Sequence, residues 1–306
     1  MNHKQKEQLA TLAGQPIDWH CDLSRYTAFA IGGPAEAMAT VEGYGELQAL
    51  LRFLAEENIP WRIIGKGTNL LVSDAGFGGV VFRLGGDFVA VSEREHGDGS
   101  VFVHCGAGSS LSALAMRCSE RGLAGLAFAC GIPGTLGGAV IMNAGAWGKD
   151  VGSILQTVTL VTGDGEIHLD AGALDFSYRC CKGFARYQAK AVVAAVELRL
   201  YRGDAPAILA DCKALLTKRK ATQPHEHAGA GSFFKNPSGN SAGRLIEASG
   251  LKGLRVGGAM VSEKHGNFLV NTGGATAADV LCLMKIVQEK VKHDSGISLE
   301  PEVHFL

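Results

Sequence analysis

The stretch from Gly131 to Gly148 reads GIPGTLGGAVIMNAGAWG and contains six glycines but no charged residue. Glycine lets a backbone approach where a Cβ would clash, and consecutive bare N–H groups can form a concavity that binds anions. An uncharged, glycine-rich segment of this length predicts backbone lying against a large ligand with phosphates. A tight turn packed in a core has a similar composition, so the segment alone leaves both interpretations open.

The composition is that of a compact protein of two or three domains. Hydrophobic residues make up 46% of the 306 residues, charged residues 19%, and the formal net charge is −1. A nearly neutral chain does not favour general binding to nucleic acid or to an anionic membrane surface. Glycine is the outlier, because its 42 residues are about twice the ordinary share of roughly 7%.

The termini and cysteines indicate a cytoplasmic protein. The amino-terminal MNHKQKEQLA lacks the apolar core of a signal peptide. No stretch reaches the ~18 apolar residues of a membrane span. The eight cysteines include no CxxC pair and match neither a disulfide framework nor a zinc site. We therefore expect them to be reduced, as in the cytoplasm.

Periodicity and turn signals predict alternating helices and strands. Gly163-Asp164-Gly165 between two apolar runs predicts a β-hairpin, and Thr276 and Gly296 are typical of the start and end of a helix. The predicted helices cover 43–58, 109–122, 208–220, 241–249 and the segment after Thr276; the predicted strands include 61–65, 155–162, 166–169, 191–201 and the chain end.

Two further loops are candidates for phosphate contact. Gly65-Lys66-Gly67-Thr68-Asn69 follows a predicted strand and offers neutral donors, but it lacks the spacing of a P-loop. Gly106-Ala107-Gly108 lies between a strand and a helix, yet position 111 is leucine, so the dinucleotide fingerprint is incomplete. A plain strand-to-helix turn is at least as good an interpretation of the second loop.

Four groups of polar residues are candidates for catalysis or metal binding. Arg179 suits bidentate carboxylate binding, or a structural ion pair. Ser232 in AGAGSFFKNP could donate a proton, or cap a turn. Glu300 and Glu302 alternate in a terminal strand and point the same way, which also fits a solvent face. His225 and His227 have no third ligand nearby, which favours solvated loop histidines.

An ordered set of motifs resembles the UDP-N-acetylenolpyruvoylglucosamine reductases, flavoenzymes of peptidoglycan precursor synthesis. The resemblance runs from about residue 20 to the carboxyl terminus. The motifs are TAFAIGGPA (27–35), GKGTNLLVSDAGFGGVV (65–81), GIPGTLGGAVIMNAGAWG (131–148), SYR (177–179), AGSFFKNP (230–237), RLIEASGLKG (244–253) and LEPEV (299–303).

The resemblance implies an α+β fold. It predicts a two-subdomain FAD-binding region of the vanillyl-alcohol-oxidase (PCMH) type, with subdomains at 1–88 and 89–203. A C-terminal α+β substrate-binding domain is expected at 204–306, its final strand contributing Glu302 to the active site. FAD is expected to bind without a covalent link, and a monomer or weak oligomer is expected.

The resemblance also implies the reaction. NADPH reduces FAD, and UDP-N-acetylglucosamine enolpyruvate then receives hydride at its vinyl carbon, giving UDP-N-acetylmuramate. Arg179 and Glu302 match the residues that polarise the substrate carboxylate, and Ser232 matches the proton donor. Tyr178, Lys220 and Asn236 are expected to bind substrate. The expected cofactor-binding residues are Gly65, Lys66, Gly67, Thr68, Asn69, Leu70, Gly131, Pro133, Gly134, Thr135, Gly137, Gly138, Asn143, Ala144 and Gly145.

The separation of Arg179 from Ser232 resembles the shorter subclass of the family, which lacks a tyrosine-bearing lid loop. Two other functions stay open from the residues. One is a flavin oxidase or dehydrogenase of the same superfamily, which would not need a proton donor such as Ser232. The other is a non-catalytic FAD- or nucleotide-binding regulator, which would bind flavin without turnover.

Overall fold

The computed structural model describes residues 1–306, which contain seven α-helices and twenty mostly short strands. The helices are α1 (His3–Leu12), α2 (Tyr44–Glu56), α3 (Leu111–Glu120), α4 (Leu136–Ile141), α5 (Ala205–Thr222), α6 (Ala242–Ala248) and α7 (Ala277–Ser295). The strands are β1 (Asp18–Asp22), β2 (Pro34–Val41), β3 (Trp61–Ile63), β4 (Leu70–Leu71), β5 (Phe77–Leu84), β6 (Val91–Glu95), β7 (Ser100–Gly106), β8 (Leu123–Ala124), β9 (Gly145–Ala146), β10 (Lys149–Asp150), β11 (Leu155–Thr162), β12 (Gly165–Asp170), β13 (Phe176–Ser177), β14 (Cys180–Cys181), β15 (Ala191–Arg202), β16 (Ala228–Gly229), β17 (Arg255–Val256), β18 (Ala259–Val261), β19 (Leu269–Asn271) and β20 (His304–Phe305). None of the helices is both long and apolar enough to cross a membrane.

The chain forms two compact units, each assembled from three segments. The larger unit contains Met1–Trp19, Glu36–Gly65 and Gly79–Thr217. The smaller unit contains His20–Ala35, Lys66–Gly78 and Lys218–Leu306. Each unit has its own hydrophobic core.

The central strand of the larger unit is β15. It lies between β11 and β7 in a six-stranded sheet of order β12-β11-β15-β7-β6, with β8 paired at its far end. Ala191 and Val193 join one buried cluster, whereas Val192 and Ala194 join another. Because both faces of the strand are covered, its sequence AVVAAV is a continuous apolar run rather than an alternation.

The smaller unit contains a four-stranded sheet of order β16-β19-β18-β17 and two helices, α6 and α7. Its core includes Phe233, Val261 and Leu283, all at 0% exposure. Thr276 caps α7 and accepts a hydrogen bond from the Asp279 N–H, and Gly296 ends the helix at a φ of 72°. These two predicted helix ends are confirmed.

Most of the predicted elements form with ends displaced by a few residues. The hairpin of β11 and β12 turns at Gly163-Asp164, as the sequence predicts. The glycine-rich segment, however, contains helix α4, which the sequence interpretation treated as loop. Helix α1 was also missed; its capping box pairs Asn2 with Gln5, and Leu9 is fully buried.

The expectation that all cysteines are reduced is wrong. Cys130 and Cys212 form a disulfide, with Cα atoms 5.7 Å apart and a sequence separation of 82. Cys130 directly precedes the glycine-rich segment, and Cys212 lies on α5. Because the partners are so far apart along the chain, cysteine spacing could not indicate the pairing.

Replacing Cys130 with serine should lower the stability of the larger unit. Cross-linking a chain across this separation contributes on the order of 4 kcal/mol through the unfolded state. The measurement is the thermal unfolding midpoint of Cys130→Ser against that of the oxidised parent. Cys282, which is exposed and unpaired, supplies the control Cys282→Ser.

Thiol counting provides an independent check on that disulfide. Alkylation of the unfolded chain without reductant should label six cysteines and leave Cys130 and Cys212 unlabelled. In the folded protein, Cys105 and Cys118 should resist labelling, because burial raises the pKa of both thiols to about 12. Labelling of all eight cysteines without reductant would contradict the assignment.

Candidate active site

The larger unit brings three of the predicted cofactor-binding residues together. Thr135 is the N-cap residue of α4, but its side chain makes no capping hydrogen bond. A Cβ added at Gly65 would lie 2.3 Å from Thr135 Oγ1, and one added at Gly138 would lie 3.6 Å from the same atom. The absence of a side chain at Gly65 therefore keeps this hydroxyl accessible between two glycines.

These features fit the pyrophosphate of a dinucleotide. Pro133 and Gly138 are exposed, Gly131 and Gly134 are half-buried, and none of the side chains in the segment is charged. Anion binding here would depend on backbone N–H groups and on the Thr135 hydroxyl. By contrast, Gly137 is fixed by packing, because an added Cβ would lie 3.0 Å from Ala107 Cβ and its N–H donates to the Ala107 carbonyl.

Gly106-Ala107-Gly108 is a packed turn in the larger unit. A Cβ at Gly106 would lie 2.1 Å from the carbonyl oxygen of Phe88, and the Gly108 N–H donates to the same oxygen. Both glycines are therefore needed for close packing of the backbone against Phe88. This favours the plain strand-to-helix turn that the sequence left open.

Asn143 is a buried bracing residue within the glycine-rich segment. It is 2% exposed and has a φ of 42°. Its Nδ2 donates to the Ser177 carbonyl at 2.9 Å and to Asp150 Oδ2 at 3.2 Å, while its Oδ1 accepts from the Gly152 N–H at 2.9 Å. Its side chain thus joins the glycine-rich segment to the hairpin that bears Arg179.

Arg179 occupies the tip of that hairpin. Strands β13 and β14 pair through Phe176–Cys181 and Ser177–Cys180, which leaves Tyr178 and Arg179 as the two loop residues. Arg179 has a φ of 55°, a left-handed conformation that is costly for a residue with a long side chain. Its guanidinium carbon lies 5.1 Å from the centre of the Tyr178 ring, and Tyr178 is 53% exposed.

In the smaller unit, the loop Lys66–Leu70 is fixed at both ends. Gly67 has a φ of 60°, and an added Cβ would lie 2.0 Å from the Tyr26 carbonyl oxygen. Asn69 donates from Nδ2 to the Glu302 carbonyl at 3.0 Å, and its own carbonyl accepts from the His304 N–H at 3.1 Å. The loop predicted to contact the cofactor is therefore bonded directly to the segment that carries Glu302. That segment precedes β20, so the prediction that the final strand itself contributes Glu302 is wrong.

The smaller unit also brings the Ser232 and Glu302 segments side by side. The Glu302 N–H donates to the Phe233 carbonyl at 2.8 Å, and the Lys235 N–H donates to the Glu300 carbonyl at 2.9 Å. Glu300 is exposed and its carboxylate binds Lys235. Glu302 is half-buried, as is Ser232.

The two substrate-binding candidates in the smaller unit have different environments. Lys220 is exposed near the end of α5, and its carbonyl accepts from Lys264 Nζ at 3.1 Å. Asn236 is exposed, and its Oδ1 accepts from the Ala242 N–H at 3.0 Å, which fixes the start of α6.

The histidine pair does not form part of a metal centre in this structure. His225 and His227 are both exposed. No cluster of three or more His, Cys, Asp or Glu side chains in the chain has an arrangement that could hold a metal ion.

Sequence reasoning missed one residue of the site neighbourhood altogether. Asn267 is 3% exposed, and both the oxygen and the nitrogen of its side-chain amide bind the backbone of Phe234. Its N–H donates to His265 Nδ1 at 3.2 Å, and burial lowers the pKa of His265, which keeps that nitrogen available as an acceptor. In the sequence, Asn267 is visible only as an asparagine just before a buried strand, and no neighbouring residue indicates that it binds Phe234.

Comparison with known proteins identifies the class. A model described as an FAD binding domain matches residues 35–170, and a model described as the C-terminal domain of UDP-N-acetylenolpyruvoylglucosamine reductase matches residues 223–306. The chain is therefore an FAD-binding oxidoreductase of α+β fold, which confirms the predicted fold class and its C-terminal domain.

The chain is 47% identical over 283 residues to UDP-N-acetylenolpyruvoylglucosamine reductase 2 of Symbiobacterium thermophilum, covering 92% of this chain and 89% of that protein. It is 41% identical to the reductase of Syntrophus aciditrophicus, covering 98% and 95%. The solved structure of the reductase from Thermus caldophilus matches with a TM-score of 0.80 at 36% identity, over 95% of this chain and 98% of that one. The chain belongs to the UDP-N-acetylenolpyruvoylglucosamine reductase family.

Replacing Asn143 with alanine should destabilise the larger unit and loosen the Arg179 hairpin. The change leaves the half-buried Gly152 N–H and Ser177 carbonyl without this partner, and the loss should be about 1 kcal/mol for each bond. The measurement is the free energy of unfolding in denaturant.

Asn58 offers a matched control for that substitution. It also has a left-handed φ, 52°, but it is exposed at the end of α2. Asn58→Ala carries the same backbone penalty without the buried hydrogen bonds. Equal losses of stability in the two variants would contradict the bracing role of Asn143.

Proposed function

We propose that this protein uses NADPH to reduce UDP-N-acetylglucosamine enolpyruvate to UDP-N-acetylmuramate, a step of peptidoglycan precursor synthesis. The observation that carries the proposal is the backbone hydrogen bond between Glu302 and Phe233, which joins the segments of the proposed acid and proton donor. Family membership over nearly the whole chain supports the same reaction. Bound FAD would accept hydride from NADPH and deliver it from N5 to the vinyl carbon.

The chain's own residues would manage charge and protons in this reaction. Hydride addition to the vinyl carbon pushes electrons toward the substrate carboxylate, so the transition state gains negative charge there. The Arg179 guanidinium would stabilise that charge, and Glu302 would do so as a neutral carboxylic acid that donates a hydrogen bond. The Ser232 hydroxyl would give its proton to the adjacent carbon, and solvent would restore it. The products are UDP-N-acetylmuramate and NADP⁺.

We assign the binding roles to loops that each unit carries. In the larger unit we assign contact with the FAD pyrophosphate to the glycine-rich segment with Thr135, and in the smaller unit we assign FAD binding to the loop Lys66–Leu70. Tyr178, Lys220 and Asn236 would bind the sugar nucleotide. We also propose functional domains at 1–88, 89–203 and 204–306, a cytoplasmic location and a monomer or weak oligomer. The separate matches at 35–170 and 223–306 support a boundary between residues 170 and 223. The compact unit that contains Lys218–Leu306 also includes His20–Ala35 and Lys66–Gly78, so these domains are not the same division as the two compact units.

Ser232→Ala should separate the two half-reactions. Reduction of the flavin by NADPH should proceed at the parent rate, because Ser232 takes no part in it. Reoxidation by the enolpyruvyl substrate should fall by roughly 10²–10⁴-fold, the usual worth of a positioned general acid. Both rates are measured anaerobically from the visible absorbance of the flavin.

Ser238, an exposed serine six positions along the same loop, gives the control Ser238→Ala. That variant should retain both half-reactions. Reoxidation at the parent rate in Ser232→Ala would overturn the proposed proton donor, and equal loss of both rates would show that Ser232 is structural.

Arg179→Lys should slow reoxidation while leaving reduction by NADPH unchanged. Lysine keeps the charge but cannot form the planar bidentate contact, and it bears the same left-handed backbone. Arg186 also stacks on the next tyrosine, 4.9 Å from the Tyr187 ring, and is exposed, so Arg186→Lys is the control. If both variants reoxidise at the parent rate, Arg179 has no role in the reaction.

A further inference from the structure

The proposed proton donor is followed by two of the most deeply buried side chains in the smaller unit. Phe233 and Phe234 are 0% and 1% exposed, and their rings meet at 5.2 Å. Neither residue belongs to a helix or an extended strand. Their N–H and C=O groups must therefore find partners among neighbouring loops, because unpaired buried groups are costly.

One side of this backbone is covered by the chain end. The Phe233 carbonyl accepts from the Glu302 N–H, and Phe234 forms an isolated antiparallel bridge with Pro301. The bonds from the Glu302 N–H to Phe233 and from the Lys235 N–H to Glu300 flank this bridge, so the Phe234 N–H and C=O point away from Pro301 and must be satisfied elsewhere.

The other side is covered by Asn267 alone. Its carbonyl accepts from the Phe233 N–H at 2.8 Å. Its Oδ1 accepts from the Phe234 N–H at 2.9 Å, and its Nδ2 donates to the Phe234 carbonyl at 2.8 Å. The side-chain amide thus takes the place that a neighbouring strand would occupy in a sheet.

Asn267 is itself held rigidly. Its N–H bonds to His265, the Phe268 N–H donates to the His265 carbonyl at 3.0 Å, and β19 begins two residues later in the sheet. Any displacement of the Phe233-Phe234 backbone would therefore stretch or break its hydrogen bonds to Asn267.

We propose that Asn267 is a positioning residue, which sets the Ser232 hydroxyl in register with Glu302 by clamping the intervening backbone. The inference rests on the proposed function, since it acts through Ser232. Loss of the clamp would shift the donor relative to the reacting carbon, and misplacement by about 1 Å can cost roughly 10²-fold in rate.

The test substitution is Asn267→Asp. Aspartate keeps the acceptor for the Phe234 N–H but replaces the donor to the Phe234 carbonyl with a second oxygen. We expect NADPH reduction of the flavin at the parent rate and reoxidation slowed roughly 10²-fold. The solvent deuterium isotope effect on reoxidation should rise, because a poorly placed donor makes proton transfer more rate-limiting.

Asn271 provides the matched control. It lies on β19, and its Nδ2 donates to the Phe29 carbonyl at 3.0 Å, while its Oδ1 accepts from Gly273 and Ala275 N–H groups. Asn271→Asp therefore removes the same kind of side-chain bond from the same unit, and the Asn271 side chain bonds to none of residues 232–234. It should leave the reoxidation rate and its isotope effect near the parent values.

A double variant distinguishes the inference from the function on which it rests. With Ser232→Ala in place, adding Asn267→Asp should slow reoxidation no further, because the clamp then has no donor to position. If Ser232→Ala alone reoxidises normally, both the function and the inference fail. If Ser232→Ala is slow but Asn267→Asp behaves like Asn271→Asp, the positioning role alone is overturned. Should the aspartate variant not fold, Asn267→Ser is judged by the same criteria.

Discussion

The candidate functional segments of each unit depend on one constraint: backbone that is buried but irregular must still satisfy its N–H and C=O groups. A regular strand does this through its neighbours, whereas the segments around Ser177 and Phe234 have no such neighbour on one side. Asparagine side chains take that role, Asn143 in the larger unit and Asn267 in the smaller. Their amides carry both a donor and an acceptor, so each can pair with a peptide as another peptide would.

Regular structure supplies the rigidity behind these loops. In the larger unit, β15 contributes side chains to buried clusters on both of its faces and hydrogen bonds to strands at both of its edges. In the smaller unit, α7 and the sheet around β19 enclose the phenylalanines that follow Ser232. Functional residues can therefore lie on loops, because the elements that hold those loops are deeply packed.

Local signals in the sequence predicted the parts of the fold that local chemistry determines. The caps of α7, the β11–β12 hairpin and the apolar run of β15 follow from residues within each element. The glycine-rich motif and its companions also indicated the flavin-binding class that the family comparison confirms. Helix α4 escaped prediction because Gly137-Gly138 has poor helix propensity, and packing against Ala107 overrides it.

Pairings between distant residues could not be read in the same way. Nothing near Cys130 indicates Cys212, and nothing near Asn267 indicates Phe234. Such contacts arise from topology, so a single sequence carries no local trace of them. The roles assigned to Arg179, Ser232 and Glu302 came from motif resemblance and stay predictions about chemistry.

The backbone conformation of Arg179 affects which substitutions would stabilise this protein, whether in engineering or in evolution. A left-handed φ at a long side chain costs of order 1 kcal/mol, a cost that glycine would avoid. Selection for thermal stability alone would therefore favour replacing Arg179 with glycine, because glycine adopts the left-handed backbone of the hairpin tip without this conformational cost. At position 179, selection for stability therefore favours a different residue from selection for the proposed activity.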